Sequence, residues 1–126
     1  MSTTLQQMIA AANAAVPRIS PEDAYELQRS GDALILDVRD AAELQNTGKV
    51  AGAVHVSRGL LEFKVDPSSP AYDAAFRKDR TLILYCGTGG RSALAGKTLR
   101  DLGFTSVYNL GGFAVWEAEG LPVEPA

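Results

Sequence analysis

The chain has 126 residues, 46% hydrophobic and 21% charged, which suits one packed domain and excludes a disordered chain. Twelve basic against fifteen acidic residues leave a net charge of −3, so no global positive field exists for binding nucleic acid. One cysteine and one histidine exclude an internal disulfide and a multi-cysteine zinc centre, and no metal site is expected.

No apolar run approaches the roughly 18 residues that a membrane span needs. No basic residue precedes Arg18, so the alanine-rich start is not expected to act as an export signal. The expected compartment is the reducing cytoplasm, where an unpaired thiol is ordinary.

In chain order, residues 3–15 suit a helix with Leu5, Met8, Ile9 and Ala12 on one face. Arg18-Ile19 suits a very short edge strand, since Pro17 has no N–H to give to a ladder. Ser20-Pro21-Glu22-Asp23 supplies an N-cap, a proline at the first helical position and early acids, opening a helix closed by Gly31. Ala33–Leu36 and Thr81–Tyr85 are continuous apolar runs, the form of strands buried on both faces. Asp40–Asn46 reads as a short helix stopped at Thr47-Gly48, and Ala53–Val56 as a weaker strand. Ser92–Leu102 carries apolar residues at helical spacing up to Gly103. Ser106–Leu110 reads as a further strand, and Phe113–Glu119 as a last short helix ended by Gly120. Strands alternating with helices imply a parallel sheet covered on both sides, with ligand chemistry at its carboxyl edge.

Charge is uneven. Residues 21–46 hold seven acidic and two basic groups, whereas Arg77, Lys78, Arg80, Arg91, Lys97 and Arg100 face only Asp79 within 77–100. The basic stretch is either an anion site or a solvated helix face.

The chemistry lies in Leu84-Tyr85-Cys86-Gly87-Thr88-Gly89-Gly90-Arg91-Ser92-Ala93. A buried strand delivers the one cysteine to a loop of small residues, and a helix begins directly after it. Three glycines let the backbone curl and turn its N–H groups inward. Such a ring over a helix N-terminus is an anion cradle. A thiol at its centre loses its proton more easily, because amides and helix dipole stabilise the thiolate. Arg91 adds a positive charge at the rim. Cys86 alone reads more readily as a small buried hydrophobe; the strand, glycines, arginine and helix together favour an active thiol.

Cys86 to Ser92, as Cys-Gly-Thr-Gly-Gly-Arg-Ser, resembles the active-site loop of rhodanese-type sulfurtransferases. Leu34-Ile35-Leu36-Asp37-Val38-Arg39-Asp40 resembles the family's first signature, and Gly48-Lys49-Val50-Ala51-Gly52-Ala53 its Gly-His-Ile-x-Gly-Ala element, with Lys49 in place of histidine. Gly103-Phe104, Tyr108–Phe113, Trp116 and Gly120–Val123 resemble its closing signature. Ser57–Phe63 is similar to the polysulfide sulfurtransferase subgroup, and the resemblance runs from about Arg18 to Val123.

The resemblance implies a three-layer α/β/α domain over residues 17–126, after an N-terminal helical extension at 1–16. Its five-stranded parallel sheet would be ordered 3-2-4-5-1. It also implies that Cys86 carries sulfane sulfur as a persulfide, from thiosulfate, polysulfide or a persulfide donor to a thiol or cyanide acceptor. No cofactor is required, and a homodimer or a sulfur-accepting protein is the expected partner. Gly87, Thr88, Gly89, Gly90, Arg91 and Ser92 would bind the donor, and the Thr88 hydroxyl could reach the sulfur. Arg58, at the same carboxyl edge, either contacts an anionic donor or is an ordinary surface arginine. Asp37 and Arg39 either support the active loop or leave Arg39 to a structural pair with Glu43. His55 is expected between strands, and Phe113 and Trp116 in the core.

Two other readings remain. Cysteine phosphatases and arsenate reductases use a Cys-x5-Arg loop, whereas four residues, Gly87 to Gly90, separate Cys86 from Arg91 here. A non-enzymatic sulfur carrier or binding module is the second, although inactive members of the family usually lose the cysteine.

Overall fold

The two apolar runs become the central strands of the computed structural model, which describes residues 2–126. Strands β1 (Ala33–Asp37) and β4 (Thr81–Cys86) pair in parallel, from Ala33 opposite Thr81 to Asp37 opposite Tyr85. All five β1 residues are buried, as are Leu82 to Cys86. The short strand β3 (Val54–His55; β2 follows below) flanks β1, and β5 (Val107–Gly112) flanks β4, giving the parallel order β3-β1-β4-β5.

The expected fifth strand is reduced to one parallel bridge, from Arg18 to Asn109 on the outer edge of β5. Its place agrees with the 3-2-4-5-1 order, in which this segment counts as the first strand. It cannot lengthen, because Pro17 offers only a carbonyl, which accepts from Asn109 N–H at 2.9 Å. Ser20 already caps the next helix by accepting from Asp23 N–H.

Side chains alternate between two cores. Leu34, Leu36, Leu82, Leu84 and Cys86 face one layer, which includes α4 (Leu61–Val65) and α5 (Gly90–Asp101). Ala33, Ile35, Ile83 and Tyr85 face the other, with α2 (Pro21–Arg29) and α6 (Phe113–Ala118). The result is an α/β/α sandwich. The N-terminal helix α1 (Leu5–Ala15) packs on α5, but its inward face differs from the expected one. Ala12 is buried and Ile9 half-buried, whereas Leu5 and Met8 are 65% and 47% exposed.

Helix α3 (Ala41–Thr47) follows β1, capped by Asp40 and Glu43 acting reciprocally. An antiparallel ribbon of two residues per strand joins β2 (Lys49–Val50) to β6 (Val123–Glu124). Lys49 is structural there: its Nζ donates to Glu124 and to the Ala53 carbonyl, both at 2.8 Å. No helix among the described residues is long and apolar enough to cross a membrane.

Candidate active site

Strand β4 ends at Cys86 and α5 begins four residues later, so the chain must reverse over the sheet edge within Gly87–Gly89. Gly89 is the N-cap of α5 at φ 105°, a left-handed conformation that costs glycine little. A Cβ at Gly112, opposite Cys86 in β5, would lie 2.5 Å from the Gly87 carbonyl oxygen, so only glycine lets the loop sit this close.

The curled backbone aims at sulfur. Gly89 N–H lies 3.0 Å and Ser92 N–H 3.4 Å from Cys86 Sγ, with Ser92 Oγ also at 3.4 Å. Cys86 is 1% exposed. Burial pushes its thiol up, but hydrogen bonds from Ser92 Oγ and from the amides of Ser92, Gly89 and Thr88 outweigh it, leaving the thiol below its ordinary value. The arrangement can therefore hold a thiolate, and any anion on that sulfur, without a separate base.

Arg91 leaves the ring. Its guanidinium passes Gly87 and clamps Glu43 bidentately, at 2.8 and 2.9 Å, tying the loop to α3. The Arg91 hydrogen bond holds the Glu43 carboxyl at about 2, well below its ordinary 4.5. The positive charge expected at the rim is thus paired. The expected Arg39–Glu43 pair does not form, because each partner has a better one. Buried Arg39 instead binds buried Asp37, with Nη2 to Oδ2 at 2.8 Å. It also reaches Thr47 Oγ1 and the Gly48 carbonyl, and stacks 4.6 Å from the Phe113 ring centroid. Asp37 and Arg39 thereby hold the far end of α3, and the Arg39 guanidinium also lies 5.5 Å from the ring centroid of Tyr85, the residue before Cys86.

Arg58 donates to Glu62 at 3.0 Å and to Thr98 Oγ1 at 3.1 Å, bridging α4 and α5 instead of reaching the ring. Thr88 is exposed, and its hydroxyl makes no hydrogen bond among the described residues. His55 ends the edge strand half-buried, with Nε2 2.6 Å from the Arg39 carbonyl, so it is not packed between strands. Trp116 and Phe113 are core residues. No cluster of three or more His, Cys, Asp or Glu suited to a metal occurs among the described residues.

Two participants escaped the sequence reading. Glu43 was visible only as a neighbour of Arg39, because its partner lies 48 positions away. Asn109 read as an ordinary strand residue, yet it is 1% exposed and bonds both Ser92 and Gly89. An asparagine inside an apolar strand run was its signal.

A family model described as the rhodanese-like domain matches residues 20–119. The thiosulfate sulfurtransferase GlpE of Stutzerimonas stutzeri is 36% identical over 100 residues, covering 79% of this chain and 83% of its own. Among solved structures, the polysulfide-sulfur transferase homodimer of Wolinella succinogenes superposes with a TM-score of 0.76 at 38% identity, over 96% of this chain and 87% of that one. A Rhodopseudomonas palustris protein of unknown function, described as a possible tyrosine phosphatase, gives a TM-score of 0.89 at 37% identity, over 98% and 96% of the two chains. These matches span nearly all of the sandwich and the whole Cys86 loop: the chain belongs to the rhodanese-like domain family and is a rhodanese-type sulfurtransferase.

Proposed function

We propose that Cys86 is the sulfur carrier, moving sulfane sulfur from thiosulfate, a polysulfide or a persulfide to a thiol or cyanide. The convergence of Gly89 N–H and Ser92 N–H on Sγ carries this reading. With thiosulfate, the thiolate attacks the outer sulfur, a new S–S bond forms, and the old bond's electron pair leaves with sulfite. The terminal sulfur then holds the negative charge, within reach of the same amides. A thiolate or cyanide attacks that sulfur, and Cys86 departs as thiolate. Gly87, Thr88, Gly89, Gly90 and Ser92 form the ring, and Arg91 ties it to α3 through Glu43. Asp37 and Arg39 brace the far end of α3, and Arg58 bridges α4 and α5 away from the sulfur.

The reading also divides the chain into a helical extension at 1–16 and a rhodanese-like domain at 17–126, in a reducing cytoplasmic setting. Association into a homodimer, as described for the Wolinella transferase, belongs to it as well. Exposed Leu5, Met8, Leu60 and Phe63 support that association, which light scattering tests directly.

The deciding experiment is mass spectrometry after incubation with thiosulfate, polysulfide or glutathione persulfide in turn. One added sulfur, removed by cyanide and absent in Cys86→Ser, is the expected result. Transfer that persists in Cys86→Ser sinks the proposal.

A further inference from the structure

Ser92 has more partners than its hydroxyl has protons. Its Oγ lies 2.7 Å from Asn109 Oδ1, 3.2 Å from the Gly89 carbonyl and 3.4 Å from Cys86 Sγ, and a hydroxyl donates once. The Asn109 amide is fixed by its other neighbours. Oδ1 accepts from Gly111 N–H at 2.9 Å, and Nδ2 donates to the Gly89 carbonyl at 3.2 Å. A flipped amide would set donor against donor at Gly111, so the acceptor end faces Ser92. Ser92 is fully buried and Asn109 is 1% exposed, which keeps water from relieving the competition.

We propose that Asn109 is a positioning residue that competes with Cys86 for the Ser92 hydroxyl proton, so that the direction of this proton follows the charge on sulfur. With the thiol neutral, Ser92 donates to Asn109 and its oxygen accepts from the Cys86 S–H. When the thiol proton leaves to solvent, the hydroxyl rotates and donates to the thiolate, while Asn109 keeps Gly111. Asn109 therefore favours the protonated thiol and opposes the amide ring. On the reading of Cys86 as sulfur carrier, the negative charge moves to the outer sulfur of the persulfide, and the Ser92 hydroxyl turns back to Asn109.

Of the charged groups around the loop, Arg91 feels the charge on Cys86, but the hydrogen bonds to Sγ come from neutral partners. Arg91 and Glu43 bind each other, as do Asp37 and Arg39 at the end of β1. Arg18 lies against Gly111 and near Gly89. Helix α1 presents only the apolar Ile9 to Gly90. None of these charged groups hydrogen-bonds Sγ among the described residues.

The test is the pH dependence of alkylation by iodoacetamide in a double-mutant cycle. Ser92→Ala removes a hydrogen bond to the thiolate and should raise the midpoint by about one pH unit. Asn109→Ala releases the hydroxyl to sulfur and should lower it by roughly half a unit, but only where Ser92 is present. Should Asn109→Ala fail to fold, Asn109→Asp keeps the shape and both accepted contacts. It should raise the midpoint more with Ser92 than with alanine there. An unchanged or raised midpoint in Asn109→Ala, or equal shifts in both Ser92 backgrounds for whichever variant folds, overturns the proposal. Weighing the same proteins after thiosulfate separates the two readings. Loading without the coupled shifts defeats the competition alone, and coupled shifts without loading defeat the sulfur-carrier reading alone.

Discussion

At the scale of single residues, the site is a contest between burial and hydrogen bonding. A thiol that is 1% exposed would ordinarily resist ionisation, yet the donors at 3.0–3.4 Å reverse that preference. The alkylation midpoint of the unmodified protein should therefore fall below the reference of about 8.5, and a midpoint at or above it would mean the ring does not stabilise the thiolate. Glu43 makes a second case. Its carboxyl is held at about 2 in the folded chain against an ordinary 4.5. Its stabilisation is complete above the ordinary value and is lost as pH falls through the folded one. With side chains 37–38% exposed, the pair is screened by solvent, and its worth is about 1 kcal/mol. Glu43→Gln should melt earlier than wild type at pH 7, with the gap closing between pH 5 and 2. A gap independent of pH would show that the bidentate pair is not its source.

At the scale of elements, the loop is set by its length and by what lies beneath it. Inserting one residue between Gly89 and Gly90 would move the aimed amides away from sulfur, and losing even one such donor costs on the order of 10²-fold in rate. Sulfur transfer assayed with thiosulfate and cyanide checks this, and undiminished activity would count against the ring. The short ring should also turn over no aryl phosphate; phosphatase activity lost with Cys86 would favour the rival suggested by the Rhodopseudomonas protein's description.

The same scale shows what the sequence makes legible. Ala33–Leu36 and Thr81–Tyr85 announce buried strands because both faces are apolar, and Cys86 to Ser92 announces its ring because strand, glycines and helix are adjacent in the chain. The clamp on that ring is not local. Helical spacing offers Arg39 to Glu43, but a buried Asp37 two residues from Arg39 competes better, and only the folded sheet brings Arg91 across to α3. The β2–β6 ribbon has two residues per strand, too few for any periodicity to appear.

At the scale of the whole molecule, α1 is the element whose standing is least evident from the family, whose model begins at residue 20. Ala12 is fully buried, and Val16, 2% exposed, belongs to the core that holds Cys86. Both Val16 methyls lie 3.0 Å from where a Cβ on Gly96 would stand, so the start of the chain fits closely over the middle of α5. Deleting residues 2–16 would uncover that face and should cost about 2–4 kcal/mol, the worth of one or two buried aliphatic side chains. For a chain of this length that corresponds to a melting point lower by roughly 10 °C. None of the hydrogen bonds to Sγ comes from α1, however, since the loop and the first turn of α5 supply them. The truncated protein should therefore melt early while keeping the alkylation midpoint of the full chain, measured at a temperature where both are folded. Unchanged melting would make α1 an appendage, and a displaced midpoint would make it part of the site. Lower stability with an unmoved midpoint is the outcome expected of a helix that supports α5 from behind.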